Sequence, residues 1–198
     1  MVGVAGRRRR RLLALPLWTL LLMLSGGPVR AGSESAPPAE VWLLVDGASR
    51  ELRVMRGREL VQRFTGISVG RAGIGDKRRR GDDVTPSGEF RIAWVAPKSP
   101  FHRFFGIDFP DRASADRALA EGTISEATHA ALAAALARGE LPPQNTAVGG
   151  QIGIHGLGAA DPLIHERYNW TQGCVALTNQ QVDELSQWIA LGTRLVIR

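Results

Sequence analysis

The sequence holds one cysteine, Cys174, in 198 residues. A lone cysteine has no intramolecular partner, so a disulfide framework is excluded. No acidic residue precedes Gly32, and no internal repeat marks a solenoid or propeller. Long hydrophobic runs are missing too. The longest, Leu12 to Leu24, is 13 residues, short of the roughly 20 that a membrane-spanning helix needs.

Charge of one sign is concentrated at the N-terminus. The formal net charge is +6 and the isoelectric point about 10.8, values that suggest a nucleic-acid binder. Six of the 25 basic residues, Arg7 to Arg11 and Arg30, lie in residues 1–31, leaving nineteen against nineteen acidic residues from Gly32 onward. The folded part is formally neutral, and the electrostatic footprint of a DNA or RNA binder disappears.

Residues 1–31 have the layout of a secretory signal: a run of arginines, an apolar stretch and the small-residue exit Ser25-Gly26-Gly27. Val29-Arg30-Ala31 is a cleavage site of the usual type, and an uncleaved signal anchor is the rival reading. Either exports the protein to the periplasm or cell envelope, the second with a tether to the inner membrane. Residues 32–40 read as a linker, small, polar and proline-bearing, and residues 41–198 as one domain. In an oxidising compartment Cys174 can be a buried apolar residue, an intermolecular bridge or a reactive thiol.

The domain reads as strands with few helices. Val41–Val45 and Glu51–Met55 flank an Asp46-Gly47 turn, a hairpin signal. Leu60–Val69, Gly88–Val95, Gln151–Ile154, Cys174–Leu177 and Leu195–Ile197 are further strands, the second stopped by Pro97 and Pro100. Gly70 to Asp83 is a charged, glycine-rich loop. Phe101 to Gly150 changes character, with four phenylalanines and then an alanine-rich helix over Ser125–Arg138. Thr178 and Gln181 form a capping box for a helix with an apolar face of Val182, Leu185 and Ile189. The fold expected is α+β and mostly β, a sandwich or barrel with one or two inserted helices.

Several motifs fail on inspection. Gly66-Ile67-Ser68-Val69-Gly70 matches a nucleophile elbow, but no helix follows it. His165-Glu166-Arg167-Tyr168-Asn169 begins like a zinc motif, yet Asn169 stands where the second ligand belongs. No spacing supports a metal, and no cofactor is implied. His129 shares a helical face with Leu132 and Leu136 and reads as a boundary histidine. Lys77-Arg78-Arg79-Arg80, flanked by Asp76, Asp82 and Asp83, reads as a solvated loop.

One constellation survives. Ile154-His155-Gly156 ends one strand, and Thr171-Gln172-Gly173-Cys174-Val175-Ala176 leads into another ahead of the capped helix. A thiol attacks acyl groups as thiolate, so it needs an imidazole within hydrogen-bond reach to take its proton. Gly173 permits a tight turn in which its N–H and that of Cys174 face one oxygen, an oxyanion site worth on the order of 3 kcal/mol per donor.

These residues resemble the YkuD-type L,D-transpeptidase catalytic domain: His-Gly, a gap, then Ser/Thr-x-Gly-Cys and an apolar residue. Gly81-Asp82-Asp83-Val84-Thr85-Pro86-Ser87-Gly88-Glu89-Phe90 resembles that family's upstream segment, and the likeness spans about residues 40–198. It implies a β-rich domain in which Cys174 attacks a peptidoglycan stem peptide at its third residue. His155 would be the base, the Gly173 and Cys174 amides would hold the oxyanion, and D-alanine would leave. Thr171, Gln172 and Gly156 would complete the substrate site. The likeness also implies a role in cell wall biogenesis and cell shape. Two departures are evident: Gln172 stands where the family often has His, and Ala176 where it often has Arg. Gly173–Ala176 and the long Phe101–Gly150 segment look more like the branch that hydrolyses stem-peptide links, including those to an anchored lipoprotein. A monomer without metal or cofactor is expected.

Overall fold

The computed structural model describes residues 39–198; the expected leader and most of the linker lie outside them. Strands β1 (Val41–Asp46), β2 (Glu51–Arg56) and β3 (Glu59–Thr65) form an antiparallel meander. β4 (Ile74–Gly75) and β5 (Thr85–Pro86) make a small parallel pair within the glycine-rich loop. Then come β6 (Gly88–Ser99), β7 (His102–Ile107), α1 (Arg112–Ala120), α2 (Glu126–Ala137) and β8 (Gly153–His155). The chain ends with α3 (Pro162–Arg167), β9 (Val175–Ala176), α4 (Asn179–Leu185) and β10 (Arg194–Ile197).

Eight strands form one mixed sheet in the order β3-β2-β1-β10-β6-β7-β8-β9. Within this sheet β1 pairs in parallel with β10, and β8 with β9, and the other pairings are antiparallel. The two edges meet. Ser68, three residues past β3, exchanges backbone hydrogen bonds with Ala176 of β9 at 3.0 and 2.7 Å. The sheet is therefore stitched round on itself, in line with the barrel-like, mostly β expectation.

Period-two burial builds the core. Leu52 and Val54 of β2 and Leu195 and Ile197 of β10 are buried while their neighbours are not, as expected of strands with one face inward. They pack with Leu43, Val45, Phe90, Ile92, Val182 and Leu185. Burying each such side chain contributes about 1.5–3 kcal/mol. The α4 capping box forms as expected, Thr178 accepting from the Gln181 N–H at 3.1 Å.

The segment 101–150 differs from the sequence reading. β6 continues through Pro97, because the pairing with β7 slips between Ala96 and Ser99 and Pro97 has no ladder bond to lose there. Phe104 and Phe105 lie on β7, where aromatic residues fit a half-buried pleat. Four helices are present among the described residues, not one or two. α1 and α3 are short, α3 leaving Leu163 and Ile164 exposed, and both start from the N-caps Asp111 and Asp161 rather than from apolar periodicity.

Candidate active site

The parallel pairing of β8 with β9 puts Ile154 opposite Val175 and His155 opposite Ala176. Cys174 lies immediately before β9, and His155 on the neighbouring β8, at one edge of the sheet. Both line the same cavity, of about 580 Å³.

His155 is buried, and its Nδ1–H donates to the Gly156 carbonyl at 2.6 Å. A carbonyl only accepts, so the proton belongs on Nδ1 and Nε2 keeps its lone pair. Phe101, Phe104 and Trp170 surround the ring, with centroids at 4.5, 5.8 and 6.1 Å. Burial holds the imidazole pKa below its ordinary value, against the opposing effect of the Gly156 carbonyl; nearby His165 lowers it further. The ring is neutral at neutral pH, the state a general base requires.

Cys174 is half-buried. Among the described residues its Sγ hydrogen bond runs to the Gln151 carbonyl at 3.6 Å and not to His155. Burial pushes the thiol pKa up to about 11, opposed by the Gly153 N–H and by the charge of Lys77. Cys174 thus rests as a thiol, and the two groups share a cavity without a direct hydrogen bond. Gln151, its acceptor, has φ +57, a left-handed conformation that costs about 1–3 kcal/mol in a non-glycine residue.

Thr171 organises the approach to the cysteine. Its hydroxyl donates to the Cys174 carbonyl at 2.7 Å and accepts the Gly173 N–H at 3.2 Å. This corrects the expectation for Gly173: its N–H is committed to Thr171 and does not face the cavity. The tight backbone is real, since Gly173 has φ +131 and a Cβ there would lie 2.8 Å from the Val84 carbonyl oxygen. Gln172 is exposed and lines the cavity. Gly156 does not line it; it holds the imidazole through its carbonyl, and a side chain there would meet Asn179 Oδ1 at 2.7 Å. Ala176 is wholly buried in β9, which leaves no room for a longer residue.

The cavity wall includes Arg71, Lys77, Arg80, Trp94 and Gln151, none of which the sequence singled out as site residues. Lys77 corrects the solvated-loop reading. Its side chain is 2% exposed and its Nζ contacts Asp82 Oδ1 at 2.6 Å and the Val84 carbonyl at 3.2 Å. Asp82 also accepts the N–H groups of Arg78, Arg79 and Val84. Burial alone would raise its pKa, but these donors together hold it below the usual carboxylate value. His165 is buried and donates nothing to a metal cluster; it accepts from Trp170 Nε1 at 3.2 Å. Among the described residues no group of three or more potential ligands is placed to hold a metal.

Comparisons with known proteins place the fold. The family model of the L,D-transpeptidase catalytic domain, YkuD, matches residues 40–197. Bd1075 of Bdellovibrio bacteriovorus is 20% identical with a TM-score of 0.52, covering 81% of this chain and 48% of its own. The helical cell shape determining protein Pgp2 of Campylobacter jejuni is 20% identical with a TM-score of 0.53, covering 80% of this chain and 47% of its own. The chain thus spans about half the length of these solved structures, and the likeness is one of fold. No curated protein sequence matches it.

Proposed function

Because the chain belongs to the family of YkuD L,D-transpeptidase catalytic domains, we propose that it is a cysteine acyltransferase acting on peptidoglycan stem peptides. One observation carries this reading: Cys174, immediately before β9, and His155, on the neighbouring parallel strand β8, line one cavity. As substrate enters, the Cys174 thiol passes its proton to His155 Nε2 while sulfur bonds to the carbonyl carbon of the third stem residue. The bond to D-alanine then breaks, and the imidazolium returns the proton to the leaving amine. An amine of a second stem next attacks the thioester, giving its proton to His155 and restoring the thiol. The exchange replaces one amide by another, so no external energy source or cofactor is needed.

A second reading, hydrolysis of the same acyl-enzyme, has its own support. The cavity is lined by Arg71, Lys77 and Arg80 and by no acidic side chain. Arg71 and Lys77 are paired with Asp83 and Asp82, which leaves Arg80 as the uncompensated charge; it attracts a substrate carboxylate and repels an ammonium acceptor. Water has no such penalty, so L,D-carboxypeptidase activity, or cleavage of a lipoprotein–peptidoglycan link, follows naturally. In either case the protein works as an exported monomer in the periplasm or cell envelope, with or without its leader as anchor, and contributes to cell wall biogenesis and cell shape.

The test uses tetrapeptide muropeptides and, separately, lipoprotein-bearing sacculi, with Cys174→Ala as control and product masses as readout. Loss of one alanine with new cross-linked dimers establishes transfer. Tripeptides or released lipoprotein without dimers establish hydrolysis. Identical masses for wild type and Cys174→Ala would overturn the enzymatic reading and leave a wall-binding module.

A further inference from the structure

We propose that Arg80 is the receptor for a carboxylate of the bound stem peptide, and so determines which peptides this cavity accepts. The inference rests on the stem-peptide reading above and adds a recognition element to it. Of the three cations on the cavity wall, two are already neutralised. Arg71 is paired with Asp83 through Nε at 3.0 Å and Nη2 at 2.8 Å, and Lys77 with Asp82. Arg80 is different. Its Nε donates to the Thr146 carbonyl at 3.3 Å and its Nη2 to the Gln144 carbonyl at 2.9 Å. Among the described residues no carboxylate lies within ion-pair distance of it.

The guanidinium has five N–H groups, and those two hydrogen bonds leave three for a ligand. The loop that holds it is itself fixed. The Arg80 N–H donates to the Ala147 carbonyl at 2.8 Å, the Thr146 hydroxyl to the Gly149 carbonyl at 2.8 Å, and Gln144 Nε2 to the carbonyls of Phe109 and Pro142. An uncompensated cation in a rigid mount loses little entropy on binding, and a planar fork suits a carboxylate better than a spherical ion does. The wall also includes the aromatic rings of Trp94, Phe104 and Trp170, which suit the alkyl part of a peptide. This gives the 101–150 segment a task, since its last loop carries the mount for Arg80.

A stem peptide offers a carboxylate at its C-terminus and others within the chain, and both sources present the same group. Binding to the full chain is measured by calorimetry in the Cys174→Ala background, so that the result does not depend on turnover. Three peptides are compared: the free acid, the C-terminal carboxamide and the carboxamide at the internal carboxylates. Arg80→Gln is expected to weaken binding of the free acid about ten- to a hundredfold. Arg80→Lys, which keeps charge but not the fork, should lie between.

If the C-terminal carboxamide is indifferent to Arg80→Gln, the terminal carboxylate is the ligand; indifference of the internal carboxamide assigns an internal one. Equal loss on all three peptides, as a loosened loop would produce, overturns the proposal. So does unchanged binding of the free acid, or no binding by the parent chain. Discrimination without catalysis by wild type would instead keep this inference and reject the enzymatic reading.

Discussion

The Lys77 ammonium meets Asp82 Oδ1 at 2.6 Å with the lysine almost fully withdrawn from water, and a Cβ on Gly173 would lie 3.4 Å from the same Nζ. A buried charge pair thus abuts the residue before Cys174. Its contribution can be divided experimentally, because each partner fails in a different way.

Asp82→Asn leaves the Lys77 charge buried without a counterion, at an expected cost of about 3–5 kcal/mol. The melting temperature should fall by many degrees. Lys77→Met replaces the stem with an apolar one and leaves Asp82 three backbone donors, so stability should change much less. Since the Lys77 charge lowers the Cys174 pKa, Lys77→Met should slow iodoacetamide alkylation of Cys174 at pH 9. Faster alkylation would contradict the electrostatic role.

The pH response follows from opposite shifts at the two groups of the site. With the thiol pKa near 11, alkylation of the resting protein should climb steadily from pH 7 to pH 10, roughly tenfold per unit. A plateau near neutrality would mean a preformed thiolate. For stability, the raised thiol pKa contributes fully below the unfolded value of about 8.5 and is lost as pH rises toward 11.

His155 and His165 behave in the other sense. Both are held below their ordinary values, burial being the largest cause. Their contribution is present above the unfolded value of about 6.5 and is lost as pH falls through their folded pKa values. Melting curves from pH 7.5 to 4.5 should show this decline, and a neutral substitution, His165→Gln, should flatten part of it. An unchanged slope in that variant would exclude His165 as a contributor.

Thr171→Val removes the acceptor of the Gly173 N–H and the donor to the Cys174 carbonyl together. The expected result is a ten- to hundredfold loss in kcat, about 1.4–2.7 kcal/mol, with KM little altered. Thr171→Ser keeps the hydroxyl and should recover most of the rate. If serine is as poor as valine, the methyl packing matters and the hydrogen bonds do not.

Gly173→Ala tests the backbone. A Cβ at φ +131 would press on the Val84 carbonyl at 2.8 Å and on Ile152 at 3.1 Å. The β4–β5 loop and the cysteine turn would have to separate, at an expected cost of about 1–3 kcal/mol. Thermal unfolding reads this directly, and an unchanged melting temperature would show that the loop yields freely.

The placing of His155 and Cys174 beside one cavity was legible because a glycine adjoins each residue, His155 ends one apolar strand and Cys174 opens onto another. Those are local signals, and the strands form where they point. Lys77 and Arg80 were illegible for the converse reason. Nothing in Lys77-Arg78-Arg79-Arg80 distinguishes the buried cation from the exposed ones. What buries Lys77 is Asp82 from its own loop together with the Gly173 turn, which lies almost a hundred residues downstream. The Gly173 N–H was misread because the geometry of a glycine turn says nothing of which acceptor it finds. Here Thr171, two residues away, reaches it first. Between Gly88 and Ile107, Pro97 and the run of phenylalanines obscured a long hairpin whose register slip makes the proline harmless.

The stitch between Ser68 and Ala176 bears on how the site comes into being. Those residues are far apart in the chain, and such distant pairings form late and slowly during folding. Ala176 is also the register partner of His155. β9 has β8 on one side, from the same stretch of chain, and gains its second neighbour only when the segment past β3 reaches it. The His155–Cys174 side of the cavity is thus assembled from nearby sequence, and closing the sheet is a separate, long-range step. That step covers backbone groups of β9 that would otherwise stand as an open sheet edge.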